Sequence, residues 1–119
     1  LTNKEFIKEA LKEMGLSHRD NQVIVDYYKQ KVAVEIAVVR EGQMIPIGFI
    51  KAKSGDKYSV VADWFLTPYN EKTFMEEINM KHSLANVKDT LSQLGWQISS
   101  QELNEDGEIV VEALNYEYV

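Results

Sequence analysis

The sequence predicts an α+β domain: a mainly antiparallel six-stranded sheet packed by two helices, in the order α-β-β-β-β-α-β-β. Three observations lead there. Apolar residues recur at helical spacing in two segments, near residues 6–14 and 74–94. Between them, from about residue 22 to 65, β-branched and aromatic residues alternate with polar ones, broken only by short turn signals. Past the second helical segment, Asp106-Gly107 separates two further strand-like runs, and Asp-Gly favours tight hairpins. At 119 residues, one domain spanning 1–119 is expected, large enough to bury a core without disulfides.

Each element has its local reason. The first helix is expected over residues 2–15. Thr2 with Glu5 forms a capping box, Phe6, Ile7, Ala10, Leu11 and Met14 share one face, and Gly15 is a stop. Four strands are expected at 23–28, 32–40, 45–53 and 57–65. Their connections are too short for the crossovers that parallel strands need, so they form a meander of antiparallel hairpins. Pro46 has no N–H and belongs on an edge or at a non-bonding position. The second helix is expected over 71–94, with Asn70 as N-cap and Gly95 as stop. Its two apolar runs, Phe74-Met75-Ile78 and Leu84-Val87-Leu91-Leu94, are out of phase, which predicts a kink or break over 79–83. Residues 96–103 and 108–119 form the closing hairpin across 104–107.

Composition narrows the function. The chain has no cysteine, which removes disulfides, thiolate catalysis and iron–sulfur ligation. Its net charge is −6, with the basic residues scattered, so a nucleic-acid partner is not expected. No apolar run of membrane-spanning length and no signal peptide are seen, so no membrane association and a cytoplasmic location are expected. The chain opens on Leu1 rather than Met, which suggests that its first residues are missing.

Several short segments, taken in order, resemble a known family. They are Glu9-Ala10-Leu11 with Gly15, Val61-Ala62-Asp63-Trp64, residues 74–78, Gly95-Trp96-Gln97-Ile98 and Glu105-Asp106-Gly107-Glu108-Ile109. Their order and spacing resemble the Ycf-thirty-five family of plastids, cyanobacteria, other bacteria and some phages, whose function is unknown. The sequence departs from that family at His82-Ser83-Leu84-Ala85, in place of an aromatic-Ala pair, and at Asn115-Tyr116, in place of an Arg-Trp pair. The resemblance implies an α+β domain, no established activity and no catalytic residue.

The residues themselves offer little chemistry. His18 lies among polar residues and is expected in a solvated loop, without partners for a metal or acid–base role. His82, in the middle of the second helix, suits either a functional role or a partly buried side chain bonded to backbone. No nucleophile elbow and no Gly-rich phosphate loop occur. The acids Glu102, Glu105, Asp106 and Glu108 surround the last turn without calcium-loop spacing. No catalytic residue, metal or cofactor is therefore expected. Asp63-Trp64-Phe65 is the constellation of interest. A carboxylate between aromatics at a strand end suits a recognition anchor, an acid with a raised pKa, or a residue bonding a neighbouring turn.

Strand alternation places Val32, Val34, Ile36 and Val38 toward the helices and Ala33, Glu35, Ala37 and Val39 away from them, together with Val61, Phe65, Val110 and Leu114. That second face is more apolar than water-facing sheets usually are, which marks a partner site unless sheet curvature buries it. The leading expectation is a non-enzymatic protein-interaction module or adaptor, pairing with another protein or with itself, with Asp63, Trp64, Phe65, His82 and Tyr27 as candidate binding residues. The alternative is a small ligand-binding or enzymatic domain with a pocket between sheet and helices, using Asp63, His82 and Tyr27 or Tyr28 as polar groups.

Overall fold

Strand pairing divides the β-structure of this chain into two sheets. A computed structural model describes the backbone of residues 1–103 and 109–115 and the side chains of residues 1–95. Helix α1 (Lys4–Glu13) is followed by strands β1 (Ser17–Val25), β2 (Lys31–Arg40), β3 (Gln43–Lys51) and β4 (Tyr58–Ala62). A 3₁₀ turn (Trp64–Leu66), helix α2 (Glu71–Gln93) and strands β5 (Trp96–Leu103) and β6 (Ile109–Asn115) complete it. Strands β1-β2-β3-β4 form one antiparallel sheet and β5-β6 a separate two-stranded one. The expected six-stranded sheet is thus corrected to four strands plus two, and the order gains the 3₁₀ turn before α2. The length of α2 supplies the reason: 23 residues at a helical rise span about 34 Å. The chain is carried along the helix before β5 begins, and the backbones of β5 and β6 run near α2. The expected turn at 104–107, with its acidic residues, lies outside the described residues.

Local chemistry explains most boundaries. Asn3, not Thr2, caps α1: its Oδ1 accepts the N–H groups of Glu5 at 2.8 Å and Phe6 at 3.1 Å. At the other end the Leu16 N–H returns to the Leu11 carbonyl at 2.9 Å, and α1 buries Ile7, Ala10 and Leu11. Strand β1 starts six residues earlier than expected and includes His18, paired with Val38. An edge strand needs only one ladder of hydrogen bonds, so its polar first half kept no apolar alternation to betray it. The Glu41-Gly42 link between β2 and β3 has φ of 52° and 81°, the left-handed pair that a two-residue hairpin needs and that Gly accepts at position 42 without strain. Pro46 sits where β3 bulges between the pairs Ala37↔Gly48 and Val39↔Met44, so β2 loses no donor there.

Helix α2 runs without the expected break. Asn70 Oδ1 accepts the Thr73 N–H at 3.2 Å, and the buried positions are Phe74, Ile78, His82 and Ala85. These follow one helical stripe at i, i+4, i+8 and i+11. His82 and Ala85 carry the burial across the segment where the large aliphatic residues fall out of phase.

The core lies in two parts. One lies between the sheet and both helices: Ile7, Leu11, Ile36, Val38, Ile47, Phe49, Phe74 and Ile78 are buried there. The other contains strand residues alone, with Ile24, Val34 and Ala37 buried and Val32, Met44, Ile50 and Val61 packed around them. The expected greasy second face is therefore closed inside the molecule at Ala37 and Val39. Strands β1 and β3, both partners of β2, approach each other across it as the sheet coils. Val32 and Val34 also fall on this side rather than toward the helices, while Ile36 and Val38 face the helices. The change of side occurs beside Asn21, a β1 residue at φ 51° that is left out of the register. Gly48 makes the closure possible: a Cβ there would stand 2.5 Å from Val34 Cγ1.

Candidate functional site

Asp63 joins three parts of the chain at one end of the four-stranded sheet. It follows β4 directly and caps the 3₁₀ turn, its Oδ1 accepting the Phe65 N–H at 3.2 Å. Its Oδ2 accepts the Tyr27 N–H from the β1–β2 connection at 2.8 Å. Its own N–H donates to the Pro46 carbonyl at 3.0 Å, and its carbonyl accepts the Leu66 N–H at 3.1 Å. An Asp suits this place because a short carboxylate accepts two convergent backbone donors at once.

The connection facing it is a tight turn built by Asp26. Asp26 Oδ1 accepts the Gln30 N–H at 2.8 Å, and its N–H donates to the Gln30 carbonyl at 3.1 Å. Lys29, at φ 65°, completes the reversal. Tyr27 and Tyr28 are therefore held outside the sheet. Their rings meet edge to face at 5.4 Å, and the Tyr27 ring meets that of Phe65 at 5.9 Å and 81°. All three are largely bare: Tyr27 is 60% exposed, Tyr28 79% and Phe65 84%. A cleft of ≈ 420 Å³ opens beside them, with Asp26, Tyr28, Pro46, Val61, Asp63 and Trp64 among its walls.

The structure thus brings Asp63, Phe65 and Tyr27 together. Trp64 belongs to the same turn but packs inward, its ring 5.5 Å from that of Phe74. A 3₁₀ turn points successive side chains about 120° apart, so one aromatic joins the core while the next faces water. His82 lies elsewhere. It is buried against α1, where its Nε2 accepts the N–H groups of Asn3 at 3.2 Å and Thr2 at 3.4 Å, and its ring meets Phe6 edge to face. Burial pushes its pKa below the usual imidazole value. The bonds from Thr2 and Asn3 need its Nε2 lone pair, which puts the neutral ring's proton on Nδ1. His82 does not line the Asp63 cleft.

Tyr28 and Asp26 are the site residues that sequence reasoning undervalued. The strand expected at 23–28 absorbed both, although Asp26 at the head of Asp-Tyr-Tyr-Lys-Gln is a turn-forming residue. His18, half-buried in β1, has its Nε2 4.0 Å from Asp20 Oδ1. Lys8 lies 3.3 Å from the same oxygen; desolvation works to raise the pKa of Asp20, but the hydrogen bond and charge of Lys8, with the charges of Lys4 and His18, together hold it below the usual carboxylate value. Among the described residues no three His, Asp or Glu side chains converge as metal ligands, and no helix is long and apolar enough to cross a membrane.

Comparison with known proteins agrees with the sequence resemblance. Residues 10–111 match the family described as "Protein of unknown function (DUF1257)". Over 121 aligned residues the chain is 25% identical to "Uncharacterized protein ycf35" of Cyanophora paradoxa, covering 99% of this chain and 92% of that protein. No solved structure matches. The chain belongs to the Ycf35-like family of unknown function, DUF1257.

Proposed function

We propose that this single domain is a non-enzymatic protein-interaction module or adaptor, and that it binds through Tyr27, Tyr28 and Phe65. One observation carries the reading: the Tyr27 ring meets Tyr28 and Phe65 edge to face in water, and Asp63 ties their two backbone segments together. Left to itself, an exposed aromatic ring gains stability by turning onto the core, as Trp64 does. Rings kept rigid and bare lose little conformational entropy on binding, and aromatic residues anchor many protein interfaces. Ala37 and Val39 of the sheet's helix-free face are buried within the molecule, so the aromatic end of the sheet is the stronger docking surface. The net charge of −6 favours protein over nucleic acid as the partner.

The test is co-purification from the source cells with two tagged chains, the native one and a Tyr28→Ser/Phe65→Ser variant. A defined partner retained by the native chain and lost by the folded variant is the expected result. Identical partner sets for the two would remove the surface from consideration.

A further inference from the structure

We propose that the partner presents an arginine or lysine, within a basic segment, that seats against Tyr28 with its charge toward Asp26 and Asp63. The inference rests on the interaction reading above and adds the chemistry of what is bound.

Among the residues lining the cleft, the charged ones are Asp26 and Asp63. Their hydrogen bonds orient them without neutralising them, because the donors are the backbone N–H groups of Gln30, Tyr27 and Phe65. None of the ion pairs among the described residues includes either acid. Lys29 and Lys31 adjoin the turn in sequence but do not line the cleft. Two carboxylates therefore border one depression whose remaining walls include the Tyr28 and Trp64 rings, Pro46 and Val61. Low-dielectric walls concentrate the field of such charges.

The face of an aromatic ring attracts a cation through its quadrupole, and a carboxylate attracts it through its charge. A guanidinium satisfies both, since it stacks flat on a ring and presents a fork of donors to carboxylate oxygens. A partner that covered the cleft with apolar or anionic groups would leave two desolvated carboxylates without a counter-charge, which is costly. The acidic chain as a whole steers basic segments in the same direction.

The test titrates the full chain, labelled with ¹⁵N, with a hexa-arginine peptide in physiological salt. Neutral serine–leucine and hexaglutamate peptides of equal length serve as comparisons. The expected result is that hexa-arginine alone shifts the amide signals of residues 26–30 and 63–66. Asp26→Asn keeps the oxygen that accepts the Gln30 N–H and removes the charge; Tyr28→Ala removes an exposed ring. Each should weaken that binding about fivefold or more, while Glu76→Gln on the exposed face of α2 leaves it unchanged. Shifts spread over the acidic surface and indifferent to Asp26→Asn overturn the inference. If the neutral peptide shifts the cluster and hexa-arginine does not, the cationic partner is wrong and the interaction module stands. Concentration-dependent dimerisation lost in Phe65→Ser but kept in Asp26→Asn makes a second copy the occupant and likewise overturns it. If no peptide shifts the cluster the cationic partner is rejected, and the co-purification test decides the module separately.

Discussion

Asp63 Oδ2 accepts the Tyr27 N–H at 2.8 Å across 36 residues of sequence, so the end of β4 is tied directly to the turn after β1. Its second oxygen holds Phe65, which makes this carboxylate the hinge pin of the exposed aromatic cluster. Replacing Asp63 by Ala removes both acceptors. The expected loss is about 1–2 kcal/mol of stability, since the site is only partly buried, with Asn restoring part of it. Urea denaturation measures the cost, and amide exchange at Tyr27 and Phe65 should accelerate in the Asp63→Ala variant relative to a reference amide in β2.

Phe65→Ser tests the opposite kind of residue. Phe65 is so exposed that its removal should change stability by no more than about 0.5 kcal/mol. A larger loss in urea denaturation would mean that the ring supports the fold rather than serving a partner.

His82 links α2 to the start of α1 and should make stability depend on pH. Its native pKa is lowered from 6.5 by burial, so the unfolded chain takes up a proton first as pH falls. The contribution is complete above about pH 6.5 and shrinks as pH drops toward the lowered native value. His82→Leu should cost about 1–3 kcal/mol at neutral pH, because the Thr2 and Asn3 N–H groups lose their acceptor. The difference in unfolding free energy between native and variant chains should narrow on acidification through that window. A difference that widens would show the opposite sign of coupling.

Gly48 and Val34 share a space that holds only one of their side chains in full. Gly48→Ala should destabilise by about 1–3 kcal/mol through overpacking. Adding Val34→Ala should recover part of the loss, a non-additivity that a double-mutant cycle in urea reads directly.

Asn3→Ala should cost about 1 kcal/mol, the usual worth of a helix N-cap. Thr2→Ala should cost less, because its contribution in the fold is its backbone N–H to His82, which Ala retains. Thermal unfolding of the two variants separates the alternatives.

The cap at Asn70 and the reversal at Glu41-Gly42 were legible because each depends on a few adjacent residues. The start of β1 was not, since an edge strand can be polar and still satisfy its backbone through one neighbour. Continuity through residues 79–83 was hidden because His82 and Ala85 carry the buried stripe of α2 in place of large apolar side chains. Within the site, a carboxylate beside aromatics was visible at Asp63-Trp64-Phe65, whereas the turn signal of Asp26 was masked by the β-branched and aromatic residues around it, Val23-Ile24-Val25 and Tyr27-Tyr28.

Sequence alone determined the α+β character and the short antiparallel connections, since both arise from hydrogen bonds and apolar periodicity over a few residues. Only the tertiary structure decided that β5 and β6 form their own sheet, that Val34 turns away from the helices, and that Tyr27 meets Asp63. Those outcomes depend on the length of α2 and the coiling of the sheet, which bring together residues whose separation along the chain leaves no local pattern.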